Sequence, residues 1–439
     1  MAPRRVAVIG AGASGLCALK CCLDEGLEPT CFERSKDIGG LWRFEEHPED
    51  GRASIYRSVI INTSKEMMCF SDFPIPEDFP NYMHNSKIME YFRMYAQHFD
   101  LLRHIRFRTS VCRVSKRPDF ASSGQWEVVT ESEGKQEAAI FDAVLVCSGH
   151  HTNAHLPLSS FPGLEKFEGC YLHSRDYKSP QPFFGKRVVV VGIGNSGIDI
   201  AVELSHTAKQ VFLSTRRGSW VLYRVADNGY PFDFSYLSRF MQLIHNLVPT
   251  SILNFFMEWK LNARFDHTLY GLKPKHGVLD QHPTVNDDLP NRIISGRVRV
   301  KPNIQEFTET SAIFEDEPVI SCKLQNKPGS GQKPQSISAP GKRVRPEKSS
   351  VDCSGFVLYS KRCVVVHGLV SSYLLSLSWV RLGIGAHLQL QRDTEVARTA
   401  LPSPCPSRQP GRCWLGDNKW SCSLCCAAAD TVTCLVNHK

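Results

Sequence analysis

Residues 5–15 read RVAVIGAGASG, an apolar run that leads directly into a glycine-rich turn. The pattern predicts a buried strand, a tight turn and a helix over residues 14–25. In such a unit Gly10 permits the turn, Gly12 lets the backbone approach a pyrophosphate, and Gly15 allows close packing of helix on strand. The N–H groups at the start of the helix then point at the phosphate oxygens. The stretch is therefore interpreted as a dinucleotide-binding fingerprint.

The segment after this helix completes a strand–helix–strand unit. Residues 29–33 read PTCFE and form the predicted second strand, whose last residue, Glu33, lies 23 residues after Gly10. A carboxylate about 20 residues after the fingerprint accepts hydrogen bonds from an unphosphorylated ribose. The first site is therefore predicted to bind FAD or NAD, and not NADP.

A second fingerprint occurs at residues 186–197, KRVVVVGIGNSG, where an apolar strand again leads into a glycine turn and a helix. Its second strand, residues 210–217, ends in two hydroxyl residues and two arginines instead of an acid. Such side chains suit a 2′-phosphate, so the second nucleotide is predicted to be NADP(H). The residues predicted to hold it are Gly192, Gly194, Asn195, Ser196, Gly197, Ser214, Thr215 and Arg216.

Four further motifs give the chain a specific family resemblance. They are FEGCYLHSRDY at residues 167–177, which matches the pattern FxGxxxHxxxY/F, GGLW at 39–42, the stretch 62–74, and DLPN at 288–291. With these motifs the chain resembles the vertebrate flavin-containing monooxygenases (dimethylaniline monooxygenases, N-oxide-forming) from about residue 6 to about residue 317. The resemblance implies an α/β fold with two Rossmann-like, dinucleotide-binding domains.

The resemblance also implies an activity and two cofactors. In this family NADPH reduces FAD, oxygen adds to the flavin as a C4a-hydroperoxyflavin, and bound NADP+ protects the peroxide until a soft nucleophile arrives. The cofactors supply the reactive chemistry, while the protein binds them and excludes water. The expected substrates are nucleophilic nitrogen or sulfur centres of xenobiotics. Tyr177 stands where Baeyer-Villiger monooxygenases tend to carry tryptophan, which favours these substrates but leaves ketones open.

The resemblance assigns Asn62 and Asn195 as active-site residues. It implies that Asn62 contacts the flavin and that Asn195 lies near NADP+ and the flavin, with a plain turn residue as the alternative for Asn62. His173 is expected to have a structural role, and no metal-ligand spacing stands out in residues 1–320. The residues predicted to hold FAD are Gly10, Gly12, Ser14, Gly15, Glu33, Gly40, Leu41, Trp42, Asn62 and Thr63.

The domain organisation follows from the motifs and from where they stop. We expect an FAD-binding domain at residues 1–155 and an NADP-binding domain at 156–317, interrupted by an insertion at 218–288. Residues 318–350 are expected to form a disordered linker, because residues 327–350 are rich in Gly, Pro, Ser and Lys. Residues 351–439 contain eight cysteines and no clear strand or helix pattern, so the FAD domain is expected to be incomplete at its C-terminal part.

Three segments leave alternatives open. The apolar stretch 236–259 predicts a helix pair that either packs on its own domain or lies on a membrane surface. The resemblance implies the cytosolic face of the endoplasmic reticulum membrane, whereas a tail without an anchor favours the cytoplasm. Residues 364–380 lack Asp, Glu, Lys and Arg but are marginal for a membrane span. The motif CSLCC at 422–426 has no second ligand pair at zinc-like spacing, so metal binding is disfavoured.

The charge and the cysteines limit the class of partner and the compartment. The formal net charge of the chain is +8, but residues 321–439 contain 16 Lys and Arg against 6 Asp and Glu, which leaves −2 for residues 1–320. The nucleotide-binding part therefore has no basic surface for nucleic acid. No signal peptide is visible, and we expect the 17 cysteines to be reduced thiols facing the cytosol.

Two classes of function remain after these considerations. The first is an NADPH- and oxygen-dependent monooxygenase, and the second is a catalytically impaired isoform that binds nucleotides weakly because the closing segment of the FAD domain is missing. A flavin disulfide reductase is disfavoured, since no cysteine pair follows the first fingerprint at redox spacing. The physiological substrate and the oligomeric state stay open.

Overall fold

The computed structural model describes part of the 439-residue chain, namely residues 4–316, 356–359 and 433–435. The chain divides into two compact units. The first unit consists of Met1–Asn153, Arg224–Thr250 and Ser372–Lys439, and the second consists of Ala154–Tyr223 and Ser251–Ser371.

The strands in chain order are β1 (Arg5–Ile9), β2 (Glu28–Phe32), β3 (Ile105–Arg106), β4 (Ser110–Lys116), β5 (Trp126–Ser132), β6 (Lys135–Phe141), β7 (Ala143–Val146), β8 (Cys170–His173), β9 (Arg187–Val191), β10 (Gln210–Ser214), β11 (Val221–Leu222), β12 (Thr284–Val285), β13 (Val298–Lys301), β14 (Ile304–Phe307), β15 (Ala312–Phe314), β16 (Phe356–Tyr359) and β17 (Thr433–Leu435). The helices are α1 (Ala13–Asp24), α2 (Lys65–Met68), α3 (Asn85–His98), α4 (Phe120–Ser123), α5 (Asn195–Leu204), α6 (Phe232–Tyr236), α7 (Arg239–Leu247), α8 (Thr250–Arg264) and α9 (Leu289–Ile294).

The main sheet of the first unit has the order β17-β7-β1-β2-β3, in which β7, β1, β2 and β3 run parallel. Val8 of β1 lies opposite Cys31 of β2 and Leu145 of β7. Val6, Ala7 and Val8 are buried, because a parallel sheet is covered on both faces. The first glycine turn therefore begins at the carboxyl end of the middle strand, which is where open α/β sheets bind ligands.

Helices α1 and α3 share one hydrophobic core with β1. Leu16 and Leu19 of α1 are fully buried in it. The hydroxyl of Tyr91, on α3, accepts a hydrogen bond from the backbone N–H of Phe70 (2.8 Å) and donates one to the carbonyl of Phe73 (2.5 Å). These two bonds tie the segment that follows α2 to the core of the first unit.

A second sheet of the first unit is the antiparallel meander β4–β5–β6. The sequence analysis did not predict β6, whose sequence KQEAAIF is mostly exposed. Only Phe141 at its end is buried, where it packs with Phe32 and Trp126. A strand with one buried residue has no periodic apolar pattern, which is why the sequence did not predict it.

The main sheet of the second unit has the order β13-β10-β9-β16-β8. β9, β10 and β13 run parallel, with Val189 of β9 opposite Phe212 of β10. α5 follows β9 and buries Ile198 and Leu204. The second fingerprint thus has the predicted order of strand, glycine turn and helix.

Two strands lie in the region for which the sequence predicted no clear fold. β16 pairs antiparallel with both β8 and β9, and β17 pairs antiparallel with β7. Residues 351–439, predicted to have no clear strand or helix pattern, thus contain strands at residues 356–359 and 433–435. Each strand has only three or four residues, too few for a recognisable periodicity. The predicted linker at 318–350 and the motifs at 364–380 and 422–426 lie outside the described residues.

The predicted insertion contains the helix pair expected from its apolar sequence, as α7 and α8. The insertion is shared between the two units, because Arg224–Thr250 belongs to the first and Ser251–Ser371 to the second. Among residues 4–316 and the two tail strands, no helix has the length and apolar character needed to cross a bilayer.

Two buried histidines in the second unit are neutral. His267 is fully buried, and its ring Nε2 accepts a hydrogen bond from the backbone N–H of Val221 (3.1 Å). Its Nδ1 lies 2.9 Å from the side-chain oxygen of Asn262, which can only accept, so Nδ1 carries the proton. Burial lowers the pKa of His267 and of His173 to about 4. Protonation of His267 at Nε2 would place an N–H group opposite the N–H of Val221 and would break this hydrogen bond.

These histidines predict a stability that falls in mild acid. Because the pKa of each is lowered in the folded state, the unfolded chain binds the proton first once the pH drops below about 6.5. Stability is highest above that value and decreases toward pH 4, by about 1.4 kcal/mol per pH unit for each histidine. Thermal unfolding midpoints between pH 7.5 and 5.5 measure this loss of stability. In H267Q the loss should be smaller by the contribution of one histidine. An unchanged pH dependence in H267Q would contradict the assignment.

Candidate functional site

The first fingerprint turn requires glycine at two positions for steric reasons. Gly10 has φ +101°, and a Cβ there would lie 2.5 Å from the carbonyl oxygen of Cys147. A Cβ on Gly15 would lie 1.8 Å from the carbonyl oxygen of Gly10. Both distances are far below a real contact, so any side chain would push α1 away from β1. The predicted roles of Gly10 and Gly15 agree with this geometry.

The N-terminus of α1 is suited to an anion. Gly12 occupies the N-cap position, no side chain caps the helix, and its first turn contains no acidic residue. The backbone N–H groups of such a terminus carry a partial positive charge and attract phosphate. Ser14 lies in this turn and is buried. A pyrophosphate therefore fits the start of α1.

Glu33 holds its carboxylate beside the same turn. The side chain is 8% exposed, and its Oε2 accepts a hydrogen bond from the backbone N–H of Ala11 (2.8 Å). Its Oε1 accepts from the backbone N–H of Ser35 (2.9 Å) and from the Ser35 hydroxyl (2.6 Å). Three donors thus hold the carboxylate in one orientation, as recognition of a ribose by a carboxylate requires.

Gly39 and Gly40 bring a second stretch of backbone against the fingerprint. The N–H of Gly39 donates to the carbonyl of Ala11 (2.9 Å), and a Cβ on Gly40 would lie 3.1 Å from the Cα of Gly12. Both glycines have positive φ values, which favour glycine. Leu41 and Trp42 follow in a partly buried 3-10 turn. The fingerprint turn, Glu33 and this turn together make a cradle that fits the adenosine and pyrophosphate part of a dinucleotide.

Asn62 has a fixed amide orientation. Its Oδ1 accepts a hydrogen bond from Nη2 of Arg224 at 2.6 Å, and a guanidinium can only donate, so the amide nitrogen is the remaining donor. The described residues provide no acceptor for that nitrogen. Thr63 is half-buried, and the backbone N–H of Ser64 donates to Asp233 (2.6 Å). Sequence reasoning missed Arg224 and Asp233, although an acid within the run PFDFS was a signal for a buried carboxylate.

The second fingerprint repeats the geometry in the second unit. Gly192 has φ +100°, Gly194 is the N-cap of α5, and no side chain caps the helix. The first turn of α5 has no acidic residue, and Ser196 and Gly197 lie in it. The Oδ1 of Asn195 accepts from the backbone N–H of Val285 (2.8 Å), so its amide nitrogen is again the remaining donor.

The predicted 2′-phosphate residues divide into two groups. The hydroxyl of Ser214 is buried and donates to the carbonyl of Pro302 (2.7 Å), while Thr215 Oγ1 accepts from the N–H of Gly218 (3.0 Å). Arg216 is exposed, and the described residues include no ion-pair or hydrogen-bond partner for its guanidinium. The guanidinium of Arg216 and the hydroxyl hydrogen of Thr215 are therefore the donors of this set available to a phosphate.

Two residues of the 167–177 signature, Tyr177 and His173, form hydrogen bonds within this unit. The Tyr177 hydroxyl donates to Oε2 of Glu203 on α5 (2.7 Å), and burial together with Glu203 raises the pKa of Tyr177. His173 Nδ1 accepts from the backbone N–H of Arg175 (3.1 Å). The structural role expected for His173 agrees with this contact. Within the described ranges, no group of three His, Cys, Asp or Glu side chains could hold a metal ion.

Two parallel-sheet units, each with a strand, a glycine turn and an uncapped helix N-terminus, define a protein with two dinucleotide-binding domains. The chain belongs to the flavin-binding monooxygenase-like family, whose model matches residues 3–322. This membership confirms the predicted family and fold class, with FAD and NADP(H) as the cofactors of the class.

The chain is similar to several curated proteins. It is 70% identical over 316 residues to flavin-containing monooxygenase 5 of Oryctolagus cuniculus, covering 72% of this chain and 59% of that protein. It is 61% identical over 313 residues to dimethylaniline monooxygenase [N-oxide-forming] 2 of Cavia porcellus, covering 71% of this chain and 58% of that protein. The match thus spans less than two thirds of the length of these relatives.

Solved structures support the fold alone. A flavin-containing monooxygenase from Stenotrophomonas maltophilia has a TM-score of 0.51 and 23% identity, covering 72% of this chain and 75% of that chain. An oxidized steroid monooxygenase bound to NADP has a TM-score of 0.52 and 21% identity, with coverages of 71% and 68%.

Replacing Arg216 predicts a loss specific to the phosphorylated nucleotide. R216A should weaken NADPH binding by about 1.5 to 3 kcal/mol, the contribution of a hydrogen bond to a charged group, and leave NADH binding nearly unchanged. Dissociation constants for both nucleotides measure the difference. R299A, on the exposed side of neighbouring β13, is the control. Equal losses for NADPH and NADH would refute the assignment of Arg216 to the phosphate.

Proposed function

We propose that the chain is an NADPH- and O2-dependent flavin monooxygenase that oxygenates soft nucleophilic nitrogen or sulfur centres. The observation that carries the proposal is the contrast between the two fingerprint units. The first ends in the buried carboxylate of Glu33, and the second in the exposed guanidinium of Arg216. One unit is thereby suited to a ribose without a phosphate and the other to a 2′-phosphate, as FAD and NADPH require.

In this proposal the residues of the first unit bind FAD. The N–H groups at the start of α1 hold the pyrophosphate, and Glu33 holds the adenosine ribose. Gly12 and Gly40 allow the backbone to come close to the cofactor. When bound, FAD supplies the redox chemistry, accepting a hydride from NADPH and reacting with oxygen.

The chain itself then contributes binding, orientation and hydrogen bonding. Arg216 binds the 2′-phosphate, and the N-terminus of α5 holds the nucleotide phosphates. Asn62 and Asn195 are each fixed through their side-chain oxygens, so each keeps a donor N–H for a bound ligand. Donors that are held before binding need no reorganisation during the reaction, which is how a site stabilises developing negative charge.

The substrate class rests on two observations. The chain is 61% identical to a dimethylaniline monooxygenase [N-oxide-forming] over 313 residues, which supports tertiary amines as substrates. Tyr177, at the position where Baeyer-Villiger enzymes tend to carry tryptophan, supports nitrogen and sulfur over ketones. The competing proposal is a family member that binds nucleotides weakly, motivated by residues 323–439 lying beyond the family match.

Anaerobic reduction of the purified chain tests the proposal. NADPH should bleach the visible flavin absorbance, and air with an amine or sulfide should then yield the oxygenated product. G12V should lose the flavin, because a side chain at Gly12 takes the space of the pyrophosphate. G194V is the matched control, which should keep the flavin but resist reduction by NADPH. A wild-type chain isolated without flavin would favour the weakly binding alternative.

We also propose that the chain associates with the cytosolic face of the endoplasmic reticulum membrane. Support comes from α8, where four apolar residues at helical spacing are each more than half exposed. They are Ile252, Phe255, Phe256 and Trp259. α7 likewise exposes Phe240, Leu243 and Leu247. An exposed aromatic stripe of this kind is typical of helices that lie in a membrane interface.

Co-sedimentation with phospholipid vesicles tests the membrane proposal. The double variant F255E/W259E should bind vesicles at least about tenfold more weakly. Each replacement removes about 1.5 to 3 kcal/mol of free energy that the aromatic side chain gains on burial. L269E replaces an apolar residue that is 83% exposed outside α8 and serves as the control. Equal binding by the double variant and the wild type would exclude α8 as the contact surface.

A further inference from the structure

Five residues of the first unit form a closed hydrogen-bonded ring, here named the Asn62 ring. Its members are Asn62, Ser64, Tyr82, Arg224 and Asp233. Two of them come from the segment Arg224–Thr250, which lies 162 and 169 residues from its partners in the chain. The ring therefore joins a distant segment to the turn that contains Asn62.

The contacts follow one another around the ring. Arg224 Nη2 donates to Asn62 Oδ1 (2.6 Å), and the Arg224 carbonyl accepts from the Tyr82 hydroxyl (2.9 Å). The same hydroxyl lies 3.2 Å from Asp233 Oδ1. Asp233 Oδ2 accepts from the backbone N–H of Ser64 (2.6 Å), and the chain from Ser64 back to Asn62 closes the ring.

Asp233 is the least replaceable member. Its side chain is 6% exposed, and a buried carboxylate is costly unless hydrogen bonds compensate for the lost water. The donors are the N–H groups of Ser64 and Phe234, and the hydroxyl of Tyr82, which is shared with the Arg224 carbonyl, lies 3.2 Å from Oδ1. Burial raises the pKa of Asp233, and these donors oppose the rise. An acid kept in this environment needs a reason beyond packing.

We infer that Asp233 is a positioning residue for Asn62: with Tyr82 it holds the turn at residues 62–64 and Arg224 in one arrangement, and thereby fixes the Asn62 amide. This inference rests on the proposed function, because its consequence concerns how reduced flavin and oxygen are used. Arg224 contacts Asn62 directly, whereas Asp233 acts through Ser64 and Tyr82. Nε of Arg224 also lies 3.3 Å from the carbonyl of Ile61, so the guanidinium holds two consecutive residues.

The expected consequence is a change in the fraction of NADPH oxidation that leads to H2O2 instead of oxygenated product. In productive turnover NADPH, a proton, O2 and the substrate give NADP+, water and the oxygenated product. In unproductive turnover NADPH, a proton and O2 give NADP+ and H2O2. A displaced donor at Asn62 weakens the electrostatic environment of the reacting oxygen, and small displacements in such sites have large effects. Looser positioning should therefore shift turnover toward H2O2.

The first experiment measures the ring in the purified full chain without added nucleotide. In D233N one carboxylate oxygen becomes an amide nitrogen, which cannot accept, so either the Ser64 N–H at Oδ2 or the Phe234 N–H at Oδ1 loses its acceptor. Hydrogen–deuterium exchange at Ser64 or at Phe234 should become at least about tenfold faster, as expected when a hydrogen bond to a charged group is lost. D78N, an exposed acid of the same unit without a described partner, should leave the exchange unchanged.

The second experiment measures H2O2 released per NADPH oxidised in flavin-loaded D233N and Y82F, with Y230F at an exposed tyrosine as the control. The ratio should rise severalfold in both ring variants, while the KM for NADPH and the anaerobic rate of flavin reduction stay at the wild-type values. Y82F removes one hydroxyl only, so it decides the question if D233N does not fold.

A purely structural role gives a different result. It would lower the thermal midpoint and the flavin content, yet leave the H2O2 ratio of Y82F at the control value, and this result would overturn the inference. Failure of the proposed function is recognised separately. A wild-type chain that neither holds flavin nor oxidises NADPH would contradict the proposed function, whereas the exchange experiment needs no nucleotide and still tests the ring.

Discussion

The close contact between Gly15 and the carbonyl of Gly10 is the constraint on which the first unit depends. A Cβ at Gly15 would lie 1.8 Å from that oxygen, so α1 can approach β1 only because the side chain is missing. The approach places an uncapped helix N-terminus at the end of the middle strand of a buried parallel sheet. The turn after β9 repeats the arrangement, with Gly192 at φ +100°. Both proposed nucleotide sites therefore lie at an uncapped helix N-terminus that follows a glycine with positive φ.

The elements that the sequence predicted well are those with a strong local pattern. Residues 29–33 were predicted as a strand and β2 spans Glu28–Phe32, because the segment follows the fingerprint helix at the spacing of a strand–helix–strand unit. β6, β16 and β17 were not predicted, since one is mostly exposed and the others are too short for a period. Their pairing is decided by tertiary contacts, such as β16 lying between β8 and β9. Local patterns contain no information about such partners.

The residues of the candidate site also fall into two groups, those that a local motif identifies and those that only the fold brings together. Gly10, Gly15 and Glu33 are separated by short, regular intervals, so a motif identifies them. Arg224 and Asp233 approach Asn62 and Ser64 across more than 160 residues of chain, and only the folded structure brings them together. The spacing of Ser214 predicted a phosphate ligand, and the structure shows in addition that its hydroxyl donates to the carbonyl of Pro302, just after β13.

The buried carboxylates of the first unit connect these observations. Glu33 and Asp233 both accept hydrogen bonds from backbone N–H groups, namely those of Ala11 and Ser35 for Glu33 and of Ser64 and Phe234 for Asp233. Backbone donors cannot change rotamer, so an acid held by them is placed more rigidly than one paired with a flexible lysine. These hydrogen bonds offset the cost of burying the charge. They also fix the position of the carboxylate, as binding a ribose or orienting an amide requires. Glu33 applies this rigidity directly to the proposed cofactor, and Asp233 applies it to the turn that carries Asn62.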